Sequence, residues 1–139
     1  MKREIKFRAW DNYNNKFFEP IYEAYNNKLE ELNIGMSGDL SIREMTNSPK
    51  HESLFPSRFI LMQFTGLLDK NGKEIYEGDI VEITRHPKLS NSYKEKEVIE
   101  YAIWQDQEYG NWYSGFELDG IGDCEVIGNI YENKDLLNV

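Results

Sequence analysis

Apolar positions along this chain recur mostly with the two-residue period of a strand, and the clearest segments are short. In Ile5-Lys6-Phe7-Arg8-Ala9-Trp10 the side chains of Ile5, Phe7 and Ala9 fall on one face, with Lys6 and Arg8 on the other, as in a half-buried strand. Asp11-Asn12-Tyr13-Asn14-Asn15 then supplies side chains that bond their own backbone in turns, and Lys16-Phe17-Phe18-Glu19 resumes an extended pattern that Pro20 limits. An N-terminal hairpin follows. Residues 21–45 fit two patterns, because Leu29 and Leu32 stand at helical spacing while Leu32-Asn33-Ile34-Gly35-Met36 and Leu40-Ser41-Ile42 alternate. We read strands at 31–36 and 39–45 around the turn Ser37-Gly38-Asp39, with a short helix near 22–31 left open. Residues 46–57, holding Pro49 and Pro56, read as a long surface loop.

Beyond residue 58 the pattern sharpens. Phe59-Ile60-Leu61-Met62-Gln63-Phe64 is nearly all apolar, as a core strand covered on both faces would be. Asn71-Gly72 suits the two-residue turn of a tight hairpin, with Glu74-Ile75-Tyr76 pairing back, and Glu77-Gly78-Asp79 turns the chain again into Ile80, Val81 and Ile83. Residues 86–96 read as a mobile connection. Strands at 97–104 and 112–118, joined by polar residues 105–111, predict another hairpin; 119–123 is a flexible link to a closing strand at 125–131, and 134–137 forms a helical turn. The fold class predicted is mainly β, a β-rich α+β protein, with a small barrel or sandwich over residues 59–133. Gly66, Gly72, Gly78 and Gly128 serve there as backbone devices, and Asp79 is placed to accept backbone N–H bonds that lock its turn.

Composition adds that the chain folds and sets its charge. At 139 residues it is long enough for one domain with a real core, and 14% aromatics is a fraction disordered chains lack. Two lobes are the other division: N-terminal hairpins and loop at 1–58, and a barrel at 59–139. No apolar run approaches a membrane span, and the opening Met1-Lys2-Arg3-Glu4 is unlike a signal peptide, so a cytoplasmic protein that does not enter membranes is expected. The lone Cys124, set between Asp123 and Glu125, reads as a buried structural thiol. The net charge of -9 is uneven: residues 1–70 hold 10 basic and 10 acidic side chains, leaving 6 basic and 15 acidic for the rest. That balance argues against direct nucleic-acid binding by the C-terminal half, and leaves solubility or a negative face that imitates DNA.

Three stretches together resemble the YopX-like family of bacteriophage and prophage proteins. They are Lys6-Phe7-Arg8-Ala9-Trp10-Asp11; Leu61-Met62-Gln63-Phe64-Thr65-Gly66-Leu67 continued by Asn71-Gly72-Lys73-Glu74-Ile75-Tyr76-Glu77-Gly78-Asp79-Ile80-Val81; and Val126-Ile127-Gly128-Asn129-Ile130-Tyr131-Glu132-Asn133. The central block is the most specific, and Lys134 stands where the family usually has Pro. The resemblance implies an SH3-like barrel in the C-terminal part, with the N-terminal strands and hairpins packed on it or one intertwined domain over 5–133. It implies a phage or prophage context and no assigned reaction.

The residues themselves carry little chemistry. The two imidazoles, His51 and His86, lie at no recognisable ligand spacing from Cys124, so no metal and no cofactor is expected. No nucleophile signature surrounds a serine, and no phosphate-cradling glycine loop is present. Glu74, Glu77, Asp79 and Glu82 fix no separation suited to acid–base work and read as solvated edges, Asp79 excepted. Lys2, Arg3, Lys6, Phe7, Arg8 and Trp10 interleave cations with rings as single-strand binders do, although an amphipathic strand with a solvated basic face explains them more simply. Trp104, Tyr109, Trp112 and Tyr113, with Phe116, gather on one hairpin; about half should pack in the core, the others forming an interaction surface toward a second copy or a host or phage protein. The function expected is a noncatalytic accessory module, with an acidic DNA-mimic inhibitor of a host nucleic-acid enzyme as the alternative.

Overall fold

The structure, a computed structural model, describes residues 4–45, 48–116 and 123–137. Its strands are β1 (Phe7–Asp11), β2 (Lys16–Phe17), β3 (Ile21–Glu23), β4 (Lys28–Ile34), β5 (Leu40–Glu44), β6 (Lys50–His51), β7 (Phe59–Leu68), β8 (Glu74–Tyr76), β9 (Asp79–Arg85), β10 (Tyr93–Val98), β11 (Tyr101–Gln105), β12 (Trp112–Phe116) and β13 (Cys124–Asn129). Among the described residues helix is confined to single 3₁₀ turns such as Ala24–Asn26 and Glu52–Leu54, so the β-rich class read from the sequence holds. The chain forms two compact units, a continuous one of Ala9–Leu61 and a discontinuous one of Met1–Arg8 with Met62–Val139. The division is crossed inside strands β1 and β7.

In the continuous unit, β3-β4-β5-β6 form an antiparallel sheet. The helix left open at 22–31 is instead a strand, one 3₁₀ turn and a strand, with Asn27 in the left-handed region where the chain reverses. Leu32 pairs with Ile42 across the sheet, and Leu40 and Ile42 are buried. Of the loop expected at 46–57, residues 46 and 47 lie outside the described residues, and 48–57 are less of a loop than their prolines suggest, since β6 pairs with β5 and Glu52–Leu54 forms a 3₁₀ turn after it. The opening hairpin pairs Trp10 with Phe17, their rings edge to face at 5.1 Å. Here Arg58 grips the buried Asp11 with two bonds of 3.1 Å and lies over the rings of Tyr13, Phe55 and Phe59. Burial pushes the Asp11 carboxyl up, but the Arg58 fork, the Asn14 amide and the Tyr13 N–H outweigh it and hold the group below the usual carboxylate range.

In the discontinuous unit β9 is central, between β10 and β13 in an antiparallel sheet. Ile80, Val81 and Ile83 are fully buried, and Ile75, Ile99, Cys124 and Val126 complete a core with Val81 and Ile83. The strand covered on both faces is therefore β9 and not β7, where only Met62 and Phe64 are buried and Leu68 is largely exposed. The Asn71-Gly72 turn also differs from the two-residue form expected. The favoured two-residue turns need positive φ at their first central residue, whereas here only the second, Gly72, has it, at φ 82°. The Gly72 N–H bonds Asp69 O and the Asp69 N–H bonds Lys73 O, giving a three-residue loop closed by a glycine bulge. Residues 97–104 are not one strand: β10 ends at Val98, Ile99 turns into the core, and β11 begins at Tyr101. Part of the segment read as mobile, 86–96, belongs to β10. The link expected at 119–123 lies almost wholly outside the described residues.

Candidate functional site

The turn residues singled out from the sequence lie in the discontinuous unit. Gly78 has φ 86°, and a Cβ built there would meet Met62 Sδ at 2.9 Å. Asp79, buried to 2% exposure, accepts the Tyr76 N–H on Oδ2 at 2.8 Å and an Arg8 bond on Oδ1 at 2.7 Å. The Arg8 guanidinium also lies 4.7 Å from the Tyr76 ring centroid. Burial pushes the Asp79 carboxyl above the usual carboxylate range, against the opposing pull of the Tyr76 N–H and Arg8. This is a structural tie and not a solvated edge. Gly128 sits where β13 shifts register against β9, and a Cβ there would fall 2.5 Å from Asn133 Oδ1, which receives the Asn129 N–H.

Asp69, passed over in the sequence, organises more of this region than Asp79 does. One carboxylate oxygen accepts the N–H groups of Asn71 and Lys73 at 2.8 and 2.9 Å, and the other accepts that of Val126 at 2.9 Å. A single side chain thus closes the Asn71-Gly72 loop and fastens β13. Burial raises its pKa, but the three N–H groups of Val126, Lys73 and Asn71 outweigh that and hold it low. Cys124 beside it is fully buried, and burial together with the Asp69 charge pushes the thiol up, away from a reactive thiolate.

The cations of the opening strand are engaged. Lys6 pairs with Glu74 and with Glu4 and stands over the Phe64 ring, while Arg8 is held by Asp79. Trp10 is buried at 5%. The nucleic-acid platform considered for this strand thus lacks a free basic face in the described residues Lys6 and Arg8.

One constellation missed in the sequence joins a serine, an imidazole and a carboxylate. His51 Nε2 lies 3.2 Å from Asp39 Oδ2, and His51 Nδ1 lies 3.0 Å from Ser53 Oγ, beside a cleft of about 260 Å³ that Phe55 and Arg58 help to line. The ring nitrogen facing the serine already accepts the Ser53 backbone N–H at 3.1 Å, as the cap of the 3₁₀ turn. Its one in-plane lone pair is occupied, so it is poorly placed to draw a proton from the hydroxyl, and Arg58 is committed to Asp11. Among the described residues no three His, Cys, Asp or Glu side chains gather as metal ligands would.

The β11–β12 hairpin is different in kind. Among the described residues it is a two-stranded sheet of its own, with Trp104 opposite Tyr113 and their rings stacked 6.0 Å apart at 22°. Gln105 pairs with Trp112, and Tyr101 meets Phe116 edge to face at 5.6 Å. Asp106 Oδ1 accepts the Glu108 N–H and Gly110 turns with φ 71°, so the tip is an organised loop. Core packing for half of these rings does not occur: Phe116 alone packs on the core, while Trp112 is 70% exposed, Tyr109 74%, Tyr113 45% and Trp104 44%. Ile103 adds 70% exposure to the same ribbon.

The family model described as YopX protein matches residues 6–138, nearly the whole chain. The chain belongs to the YopX family. Among solved structures, that of protein EF1440 from Enterococcus faecalis is 30% identical, with 98% of this chain and 99% of that one covered and a TM-score of 0.50. The crystal structure of protein yopX from Bacillus subtilis is 22% identical, covering 96% of this chain and 95% of that one, with a TM-score of 0.49. No curated protein matches the chain. The YopX assignment covers both units, and with it the opening strand, the Asp69 loop and the closing strand β13. No helix among the described residues is long and apolar enough to cross a membrane.

Proposed function

We propose that this YopX-family chain is a noncatalytic accessory protein of phage or prophage origin. It acts in the cytoplasm of a bacterial host, with the β11–β12 hairpin as its surface for a partner protein or a second copy. The supporting observation is the exposure of Trp112, Tyr109 and Ile103 on a ribbon with no third strand among the described residues. Two strands alone are marginal in water, and large exposed rings rimmed by polar groups mark association surfaces. The discontinuous unit is the part we read as a small SH3-like barrel, supported by the interior that Ile75, Val81, Ile83 and Val126 share across β8, β9 and β13. Sedimentation of the full chain and of a Trp104→Ser, Trp112→Ser double variant, alone and with material copurified from a bacterial host, tests the surface. Complexes lost in the variant support the reading; complexes identical in both proteins sink it.

The DNA-mimic reading draws on the acidic second half of the chain. It needs a face dominated by carboxylates, and on this hairpin the exposed Glu100 and Glu108 share the surface with exposed rings and an isoleucine. Competition between this protein and DNA for a basic nucleic-acid enzyme, weakening with salt, is the result that would favour it.

A further inference from the structure

Building on the association surface just described, we propose that the β11–β12 hairpin takes a basic, arginine-bearing segment of another protein, guanidinium groups lying on its rings and pairing with its carboxylates. From Glu97 to Glu132 the sequence contains nine acidic residues and no Lys, Arg or His. In that stretch Glu100 and Glu108 are exposed next in sequence to the exposed Tyr101 and Tyr109, and the strand register sets Tyr101 and Trp112 on one face of the ribbon and Trp104 with Tyr113 on the other. Rings without cations, accompanied only by carboxylates, select among occupants by charge.

A single-stranded nucleic acid would find faces to stack on but nothing to neutralise its phosphates, and anionic lipid headgroups would be repelled. A second copy presenting the same ribbon would set Glu100 and Glu108 against their own kind, with no compensating cation on the hairpin. A guanidinium satisfies both halves of the surface. It is planar, weakly hydrated, stacks on Trp and Tyr, and donates in a fork to carboxylates, whereas an ammonium does only part of this. The protein already shows such packing on itself, with Arg8 over Tyr76 and Arg58 over Tyr13, Phe55 and Phe59, each also bonded to an aspartate.

The test uses the full-length protein and three short labelled peptides of one length, alternating Ser with Arg, Lys or Glu, read by fluorescence anisotropy at low salt. The Arg-Ser peptide should bind most tightly, the Lys-Ser peptide several-fold more weakly, and the Glu-Ser peptide not at all. Trp104→Ser with Trp112→Ser should weaken Arg-Ser binding roughly 5- to 30-fold, and Glu100→Gln with Glu108→Gln should flatten its salt dependence. Tyr22→Ser, which removes an exposed ring of the other unit, should leave it unchanged. The proposal is overturned by an Arg-Ser peptide that does not saturate by about 1 mM, by equal affinity in the double-Trp variant, or by tighter binding of single-stranded oligothymidylate. A self-association that the double-Trp change abolishes, with no peptide bound, overturns the arginine partner and leaves the surface assigned to a second copy. If neither self-association nor peptide binding responds to the change, both readings fall.

Discussion

Strand β9 and the β11–β12 hairpin belong to the same compact unit and are both rich in β-branched and aromatic residues, yet their fates are opposite. Ile80 and Val81 are fully buried, while Ile103 and Trp112 each keep 70% of their surface exposed. Sequence pattern does not separate them, because each reads as a short run of strand formers between turns. What separates them is pairing. β9 has a neighbour along each edge, so its side chains close on those of β8 and β13, whereas β11 and β12 have only one another among the described residues. An apolar strand becomes core when the sheet around it is wide enough to fold over; otherwise its side chains are left for something else to cover.

Breaking the buried side should produce the largest effect. Ile75→Ala removes a side chain with no exposed surface and should cost about 4 kcal/mol by the cavity it leaves, measured by urea unfolding. Asp69→Asn should cost about 3 kcal/mol, since the loop N–H groups and that of Val126 lose a charged acceptor shared by two oxygens. This loss has a pH signature. The folded pKa of Asp69 is depressed, so its contribution is fully present above the unfolded value near 4 and is lost as pH falls through the folded one. The stability gap between the natural protein and Asp69→Asn should therefore be widest at neutral pH and close on acidification, and a constant gap would refute the carboxylate's role. Gly78→Ala, straining a φ of 86° and crowding Met62, should cost about 2 kcal/mol by the same unfolding measurement. Trp112→Ser on the hairpin should move stability by no more than about 0.5 kcal/mol in thermal melts, and a larger drop would mean the ring belongs to the core after all.

The sequence was informative where structure is local. The opening hairpin was legible in Asp11 and its asparagines because a turn side chain bonds backbone close by: Asp11 Oδ1 accepts the Tyr13 N–H and Oδ2 the Asn14 amide. The β4–β5 pairing was legible in the alternation of Leu32, Ile34, Leu40 and Ile42. Strand β10 was not, because Lys94, Glu95, Lys96 and Glu97 carry no apolar signal; they are held by pairing to β9, with Arg85 bonded to Glu95 and Glu97. The break at Ile99 was hidden for a similar reason. Ile99 exchanges backbone bonds with Gly78 and Asp79, distant partners that no window around residue 99 contains. Asp69 reaches Val126 across 57 positions, and the Asp39-His51-Ser53 array forms only once β6 lies beside β5. For the hairpin the pattern revealed a cluster of rings but not which were covered, since exposure depends on the width of the sheet they join.

The division of the chain at Arg8 and Met62 sets an order of events during translation. The 9–61 segment is contiguous and emerges whole, so it can fold while the ribosome is still adding β8 and β9. The leading segment must wait: Arg8 has its carboxylate partner 71 positions downstream, a delay of roughly 4–14 s at ordinary elongation rates. During that interval the Arg8 guanidinium stands without its carboxylate, while Trp10 and Asp11 of the same strand already have β2 to pair with.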